Sequence, residues 1–450
     1  MSVDTIAAIA TAPGRGAIGL VRISGPAAPA IATAIAGRLP PVRQAALRGF
    51  RDRDGHILDR GLVLVFEAPN SYTGEHLIEL QAHGGSVLLQ LLLEAVVAAG
   101  ARIARPGEFS ERAFLNGRLD LAQAEAVSDL IDASSRQAVI AAQRSLDGVF
   151  SQRVGALADE LMALRAWVEG ALDFSDEDVN WLADGQLLDR LGAWFDALDA
   201  LQRQAGQGRR LRDGLVVAIV GQPNVGKSTL LNRLAGVDAA IVSDQPGTTR
   251  DVLREHLIID GLPITVVDTA GLRDTDDRIE QEGIRRAWAA VDKAELLLFL
   301  SDDRVDAEDG LDAELIARLP SDRPRLHVRN KADLSGGSIG ETQTPDTLRI
   351  SAATGAGIEL LRQRILQFAG LGAPTADSQS VFIARSRHLT ALAQTRAHVE
   401  QALQCLAQGT GAETMAEELR LAQQALGEIT GAVTADEVLG RIFSSFCIGK

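Results

Sequence analysis

The pattern of apolar and polar positions divides the chain into four segments. Residues 1–117 contain short β-like apolar runs and one stretch of helical spacing, Ser86 to Ala99. Residues 118–213 and 373–450 repeat apolar positions three and four apart, as amphipathic helices do. Residues 214–372 alternate apolar runs with helical stretches, which is typical of a doubly wound parallel sheet. The pattern therefore predicts a multidomain protein: an N-terminal α/β domain, an all-α helical domain built from two chain segments, and an α/β domain inserted between those segments.

Two stretches rich in small residues border the inserted segment. Gly206-Gln207-Gly208-Arg209-Arg210 precedes it, and Leu371 to Ser380 follows it with Gly372 and Pro374. Glycine and proline interrupt regular structure, so we expect both stretches to be linkers. Such insertions are tolerated where chain ends lie close together at a surface.

Composition and charge narrow the class of protein. The 450 residues suggest about three domains, and a hydrophobic share of 46% with mixed charges indicates a soluble globular protein. A net charge of −15 argues against a surface that binds nucleic acid throughout, because phosphate contacts need clustered Lys and Arg. Cys405 and Cys447 are too few for a disulfide framework and fit a reducing cytoplasm. No signal peptide is predicted, because Met1-Ser2-Val3-Asp4 has no basic region, and no membrane span is predicted, since Gln90 and Glu94 interrupt the apolar helix.

A phosphate-binding motif follows the apolar run Leu215 to Val220. Its residues are Gly221-Gln222-Pro223-Asn224-Val225-Gly226-Lys227-Ser228-Thr229, and an apolar helix comes next. Strand, G-x-x-x-x-G-K-S loop and helix form the P-loop in the context that it requires, which disfavours a simple glycine-rich turn. Lys227 can reach the β- and γ-phosphates, and the Ser228 hydroxyl can bind Mg²⁺.

A polar stretch with the position of a GTPase switch follows the P-loop. Gly247-Thr248-Thr249-Arg250-Asp251 is threonine-rich, and Thr249 can complete the Mg²⁺ shell and sense the γ-phosphate. On its own, an ordinary threonine-rich loop would explain this stretch as well.

A second switch motif follows a hairpin signal, Asp260-Gly261, that joins two β-like runs. The second run ends in Val267-Asp268-Thr269-Ala270-Gly271. Asp268 can hold Mg²⁺ through water, and Gly271 can donate its N–H to the γ-phosphate. The next residue is Leu272, which cannot orient the attacking water as a glutamine does elsewhere.

Hydrolysis must therefore be organised by other groups. Asn224 offers a carbonyl oxygen near the phosphates, so a monovalent cation held there can supply the charge that an arginine finger supplies elsewhere. Arg250 and Arg273 are alternatives, although each is more simply explained as a solvated switch residue.

A later motif, Asn330-Lys331-Ala332-Asp333, is predicted to select the base of the bound nucleotide. The Asp333 carboxylate can accept two N–H bonds from guanine, whereas adenine presents a bare ring nitrogen there. Ser351-Ala352-Ala353, after an apolar run, supplies another base-contacting loop. The ordered motifs predict a Ras-like P-loop GTPase domain that binds GTP or GDP.

Three further stretches complete the pattern. They are Pro13-Gly14-Arg15-Gly16 with Val21-Arg22-Ile23-Ser24-Gly25, Arg105-Pro106-Gly107-Glu108-Phe109-Ser110-Glu111-Arg112-Ala113-Phe114, and Phe446-Cys447-Ile448-Gly449-Lys450. With the GTPase motifs, they make the chain resemble the MnmE (TrmE) family of tRNA-modification GTPases over essentially its full length. These stretches are far more specific than the P-loop.

The resemblance implies a cytoplasmic homodimer joined through the N-terminal domains. It implies a heterotetramer with an FAD-containing MnmG-type protein that alkylates the wobble uridine of certain tRNAs at C5, adding a group such as carboxymethylaminomethyl. It also implies 5-formyltetrahydrofolate or a related folate in the N-terminal domain, and GTP hydrolysis that K⁺ stimulates as the GTPase domains meet.

Site residues carry over from the family by position. The K⁺ ligands would be Asn224, Ser243, Gln245 and Thr248. Mg²⁺ would bind Ser228 and Thr249. The catalytic candidates are Glu280, at the position of a water-positioning glutamate, with Lys227 and Cys447. The folate contacts would be Arg22, Glu79, Arg118 and Lys450. The remaining nucleotide contacts are Val225, Gly226, Thr229, Asp244, Pro246, Gly247, Asp268, Thr269, Ala270, Gly271, Asn330, Lys331, Ala332, Asp333, Ser351, Ala352 and Ala353. Two positions depart from the family: Arg118 replaces a lysine, which keeps the charge but changes its geometry, and Ser243 replaces a threonine.

Two functions of different class fit the motifs. The first is an enzyme subunit in tRNA modification, and the second is a regulatory GTPase switch in ribosome or membrane assembly. The second predicts an appended basic RNA-binding module, and this acidic chain shows none. The first function is therefore favoured.

The tail, Phe446 to Lys450, is an apolar run that closes a helical segment. We expect it to dock on the N-terminal domain and to bring Lys450 to the folate carboxylates. Cys447 would then be either a packed thiol or a participant in the modification chemistry. Packing is favoured, because no histidine or second cysteine is evident nearby to generate a thiolate.

Overall fold

The structure is a computed structural model that forms two compact units. It describes residues 4–173, 185–222, 224–236, 254–268, 288–289, 291–305, 319, 323–344, 346–371, 381–408, 412–433 and 436–449. The first unit comprises Met1–Ile131, Ser145–Phe195 and Ala391–Lys450. The second comprises Asp132–Arg144 and Asp196–Thr390.

The described strands and helices follow the predicted order of segments. The strands are β1 (Ile6–Ile9), β2 (Gly16–Ser24), β3 (Ala46–Arg51), β4 (Ile57–Phe66), β5 (Leu77–Gly84), β6 (Arg102–Ile103), β7 (Leu215–Val220), β8 (Arg254–Ile259), β9 (Leu262–Asp268), β10 (Leu296–Asp302), β11 (Arg325–Asn330), β12 (Gly340–Glu341) and β13 (Thr347–Arg349). The helices are α1 (Ala28–Ala36), α2 (Ser86–Ala98), α3 (Glu108–Leu115), α4 (Leu121–Asp132), α5 (Arg136–Leu146), α6 (Val149–Asp173), α7 (Gly185–Asp213), α8 (Lys227–Ala235), α9 (Ala332–Ser335), α10 (Ile358–Phe368), α11 (Ser386–Gln408), α12 (Ala412–Thr430) and α13 (Asp436–Ser444). None of the helices within the described ranges is long and apolar enough to cross a membrane.

The first unit contains a mostly antiparallel sheet with the strand order β3-β4-β5-β2-β1-β6. Alternate residues of its strands point to one face, where Val21, Val63 and Leu80 are buried against α1 and α2. In the same unit, α6 packs against α12, which comes from the other flank of the inserted segment. The predicted fold class is confirmed, because helices from both flanks combine as the apolar spacing predicted.

An ion-pair network holds α3 in place at the N-terminal sheet. Glu108, which is buried, accepts hydrogen bonds from Arg102 Nη1 at 2.8 Å, the Arg105 amide at 2.8 Å and Arg112 Nη2 at 3.1 Å. Burial alone would raise the pKa of Glu108, but these donors outweigh it and lower the pKa to about 2. Because the folded pKa lies below the ordinary value of 4.5, this stabilisation is present above that pH and is lost as the pH falls toward 2.

The second unit contains a sheet with the order β12-β13-β11-β10-β7-β9-β8. Its strands are parallel except for the β8–β9 and β12–β13 pairs. The central strand β10 is buried along the whole run Leu296 to Leu300, as expected where both faces of a parallel sheet are covered. The hairpin predicted at Asp260-Gly261 is confirmed, since the turn joins β8 to β9 with φ of 47° and 85°.

The linker predicted at Gly206 to Arg210 is wrong. Helix α7 runs through these residues to Asp213, and β7 begins two residues later. Gly208 allows the backbone of Phe382 to approach the helix, because a Cβ at Gly208 would lie 1.8 Å from the Phe382 carbonyl oxygen. Arg209 pairs with Glu295 just before β10. These contacts stabilise this part of α7, which its glycines would otherwise weaken. Of the second predicted linker, residues 372–380 lie outside the described range.

The two glycines of α7 provide a test of this packing. We expect Gly208→Ala to lower the free energy of unfolding by about 1–3 kcal/mol, because the added methyl group overlaps the Phe382 carbonyl. Gly206→Ala is the matched control, since no atom lies within 4 Å of its added Cβ. It should instead raise stability by about 0.5–1 kcal/mol through helix propensity alone. Urea unfolding of both variants distinguishes the two cases, and equal effects would contradict the close approach.

Candidate functional site

The P-loop lies between β7 and α8, as the sequence predicted. Gly226 has φ of 99°, and a Cβ there would lie 2.4 Å from Asn330 Nδ2, so only glycine fits. The first α8 hydrogen bond runs from the Leu230 amide to the Gly226 carbonyl, which leaves the preceding amides directed out of the helix N-terminus. Lys227 is buried, and its Nζ donates to the Gly221 carbonyl at 2.8 Å. Ser228 and Thr229 are exposed at the same end. The arrangement suits a bound phosphate chain.

Asn330 connects the P-loop to the loops predicted to contact the base. It ends β11 and has only 2% of its surface exposed. Its Nδ2 donates to the Val225 carbonyl at 2.8 Å, and its Oδ1 accepts from the Ala352 amide at 2.9 Å. One side chain therefore sets the distance between the phosphate loop and the Ser351-Ala352-Ala353 loop.

Lys331 makes a parallel connection at the surface. Its backbone is left-handed, with φ of 67°, and its Nζ donates to the Asn224 carbonyl at 2.6 Å and to Asp302 at 3.0 Å. Asp302 also accepts hydrogen bonds from the side chain and the amide of Arg304. Together with the hydrogen bond from Lys331, these bonds hold the pKa of Asp302 well below its ordinary range. Asp333, two residues after Lys331, is exposed and available to a ligand.

The loop Ser351-Ala352-Ala353 after β13, which is the predicted base loop, is held in place by the helix that follows the P-loop. Arg233 of α8 donates to the carbonyls of Ala352 at 3.2 Å and Ala353 at 2.6 Å. Ser351 is buried, and its Oγ accepts from the Thr354 amide at 3.2 Å. The predicted phosphate and base residues therefore converge at one edge of the sheet.

The switch residues are only partly described. Asp268 ends β9 and is the register partner of Ile219 on β7, which places it beside the strand that leads into the P-loop. The remaining predicted residues lie outside the described residues: Ser243, Asp244, Gln245, Pro246, Gly247, Thr248, Thr249, Thr269, Ala270, Gly271 and Glu280, together with Lys450 of the predicted folate site.

Arg22 and Glu79 form a pair in the N-terminal sheet. They are register partners on β2 and β5, and Arg22 Nε and Nη2 donate to Glu79 Oε1 at 3.1 and 2.9 Å. The guanidinium carbon lies 5.7 Å from the ring centroid of Tyr72 and 5.8 Å from that of Phe109. Arg118 lies beside Gly74, and Gly74 belongs to the segment that leads into β5. The structure thus joins two of the predicted folate residues directly.

The tail docks on the N-terminal domain, as the apolar run predicted. Phe446 is buried in a cluster with residues of α4 and α13. The Gly107 amide donates to the Cys447 carbonyl at 3.4 Å, and Arg22 Nη1 donates to the Gly449 carbonyl at 3.4 Å. The residues before Lys450 therefore reach the Arg22–Glu79 pair.

Cys447 is exposed, so the interpretation of a packed thiol is wrong. Phe446 takes the buried position, and only the backbone carbonyl of Cys447 is bound, by Gly107. Cys447 lies two residues before Gly449, whose carbonyl accepts from Arg22. The second interpretation, a role in chemistry, stays a prediction.

Sequence reasoning missed the residues that support the base loops. Arg233, Asp302 and Arg304 were given no role, although the last two follow an apolar run next to the P-loop strand. The carboxyl end of such a strand is where ligands bind in open α/β sheets, and this was the available signal. Nothing in the pattern distinguished Arg233 from other polar residues of its helix.

The sheet and its converging loops define a class of protein. A doubly wound sheet with a P-loop after its first strand and an Asn-Lys-x-Asp motif after a later strand defines a P-loop GTPase. Residues 5–118 match the family model "GTP-binding protein TrmE N-terminus", and residues 121–447 match "MnmE helical domain". The chain belongs to the MnmE (TrmE) family.

The chain is also similar to individual proteins. The tRNA modification GTPase MnmE of Pectobacterium carotovorum subsp. carotovorum (strain PC1) is 51% identical over 453 residues, which cover 99% of each chain. Among solved structures, the FeoB G-domain of Methanococcus jannaschii is 27% identical over 35% of this chain and 98% of that chain, with a TM-score of 0.26. A GTP-binding protein of Sulfolobus solfataricus in complex with GDP is 17% identical over 62% of this chain and 76% of that chain, with a TM-score of 0.27. Scores this low support no functional conclusion.

Proposed function

We propose that the chain hydrolyses GTP as a subunit of a complex that modifies the wobble uridine of tRNA. The observation that supports this most strongly is the buried carboxamide of Asn330, which connects the P-loop to the base loop beside an exposed Asp333. Family membership supports the tRNA substrate, because a relative that matches over 99% of the chain is named a tRNA modification GTPase.

The residues present fit a guanine nucleotide. Lys227 and the N-terminus of α8 would hold the phosphates, Asp333 the guanine edge, and Ser351-Ala352-Ala353 the other side of the base. Ser228, Thr249 and Asp268 would hold Mg²⁺, which neutralises charge on the phosphate oxygens when bound. Glu280 would position the attacking water, since Leu272 cannot. Val225, Gly226 and Thr229 would line the phosphates through their backbone.

K⁺ is proposed as the accelerating cation. Asn224 has a left-handed backbone with φ of 65°, and its side chain is exposed in the P-loop, so its side-chain carbonyl oxygen is available to a cation there. Ser243, Gln245 and Thr248 would complete the ligands, as the family resemblance implies. Equal GTP turnover in K⁺ and Na⁺ would refute this part of the proposal.

A folate is proposed for the Arg22–Glu79 site. The pair is partly exposed, and the Glu79 carboxylate can accept N–H bonds from a pterin while Arg22 and the tail supply positive charge. Arg118 and Lys450 would contact the folate carboxylates. Undiminished folate affinity after removal of the tail would show that Lys450 makes no contribution.

The partners and the domain limits are part of the proposal, and the partners are those that the family resemblance implies. We propose a homodimer through the N-terminal domains and a heterotetramer with an FAD-containing MnmG-type protein. The proposed domains are residues 1–117, 118–213, 214–372 and 373–450, with the second and last forming one helical domain. Cys447, which is exposed and lies two residues before the glycine whose carbonyl binds Arg22, is the candidate for direct participation in the modification.

The proposed function is tested by complementing a strain that lacks the gene. We expect Lys227→Ala to abolish GTP hydrolysis and the wobble modification, because the P-loop ammonium group proposed to hold the phosphates is lost. Lys293→Ala removes an exposed lysine from the same unit and is the matched control. The measurement is mass spectrometry of tRNA nucleosides, with protein levels compared. Normal modification in the Lys227→Ala strain would contradict the proposal. Normal modification in the deletion strain would favour the regulatory switch instead.

A further inference from the structure

A buried carboxylate lies directly behind the base loops. Asp303 follows the last residue of β10, and its side chain is only 2% exposed. Its backbone amide donates to the Asn330 carbonyl at 2.8 Å. Neither the P-loop nor the switch motifs include this residue, so its role has to be found in its contacts.

The Asp303 carboxylate binds three partners from three different elements. Oδ1 lies 2.6 Å from Arg329 Nε and accepts a hydrogen bond from Arg349 Nε at 3.0 Å. Oδ2 accepts a hydrogen bond from the Ser335 hydroxyl. Arg329 also donates through Nη2 to the Asp303 carbonyl at 3.1 Å. Both oxygens of the carboxylate therefore have partners.

Each partner is adjacent to a residue of the base site. Arg329 immediately precedes Asn330, Ser335 follows Asp333 by two residues, and Arg349 precedes Ser351 by two. Asp303 thus connects the end of β11, the end of α9 and the end of β13. Because buried charge is costly unless it is paired, this cluster resists rearrangement and holds the three ends at fixed distances.

The element that carries Asp333 depends on such support. Helix α9 has four residues, Ala332–Ser335, and helices this short do not hold their shape alone. At its beginning, the Ala332 amide donates to the Ile350 carbonyl at 3.1 Å. At its end, Ser335 donates to Asp303. Asp333 lies between these two anchors, so the second one controls how far its carboxylate can move.

We propose that Asp303 is a positioning residue that sets guanine selectivity. It acts through Ser335, Arg329 and Arg349 to keep the Asp333 carboxylate where both N–H groups of guanine reach it. This inference rests on the proposed assignment of Asp333 to the base. A purely structural role for Asp303 would affect stability and leave the choice of base unchanged.

The inference is tested by comparing GDP with inosine diphosphate (IDP). GDP carries an exocyclic amine that IDP lacks, and this amine would donate a hydrogen bond to the Asp333 carboxylate. We expect Asp303→Asn to reduce the ratio of GDP to IDP affinity about tenfold, because the loss of charge releases the end of α9. Ser335→Ala removes only the hydroxyl and should reduce the ratio several-fold. Calorimetric titration of the full chain gives both dissociation constants.

Asp260→Asn is the matched control. Asp260 accepts from Arg362 Nη2 at 2.8 Å, so it also pairs with an arginine, but the pair lies at the β8–β9 turn, away from α9. The control should keep the wild-type ratio. An unchanged ratio in Asp303→Asn would overturn the inference, and Ser335→Ala decides the matter in the same way if Asp303→Asn does not fold. A wild type with no preference for GDP would instead refute the assignment of Asp333.

Discussion

The buried carboxamide of Asn330 is the interaction on which the nucleotide unit depends. It gives one hydrogen bond to the P-loop and takes one from the base loop. Leaving a buried donor or acceptor unpaired costs about 1–3 kcal/mol, so both loops are held to positions that satisfy this side chain. Lys331 and Arg233 add connections around it. The consequence is that the loops proposed to bind the phosphates and the base share one rigid frame.

In the first unit, contacts between residues far apart in sequence bring the C-terminal tail to the N-terminal sheet. Arg22 on β2 binds Glu79 on β5 and the Gly449 carbonyl near the other end of the chain. Phe446 is buried, which fixes the tail, while the thiol of Cys447 remains exposed. The N-terminal site is thus completed by the tail.

Local signals predicted much of the fold and of the site. The P-loop, the Asp260-Gly261 turn and the strands around them follow from glycine spacing and continuous apolar runs, which are properties of short segments. The helix through Gly206 to Arg210 was not predictable in this way, because it is stabilised by Phe382 and Glu295, which lie far along the chain. Asp303 was missed for the same reason, since its partners come from three separate elements. The exposure of Cys447 depends on which neighbour takes the buried position, and spacing alone did not reveal it.

The most direct test of this account is the affinity of an Asn330→Asp variant for GDP. The new carboxylate oxygen would face the Val225 carbonyl, so the P-loop and the base loop would separate, and we expect GDP affinity to fall roughly tenfold or more. Gln343→Glu makes the same amide-to-carboxylate change at an exposed position and should bind GDP normally. Calorimetric titration measures both. Wild-type GDP affinity in a folded Asn330→Asp chain would contradict the claim that this side chain holds the site together.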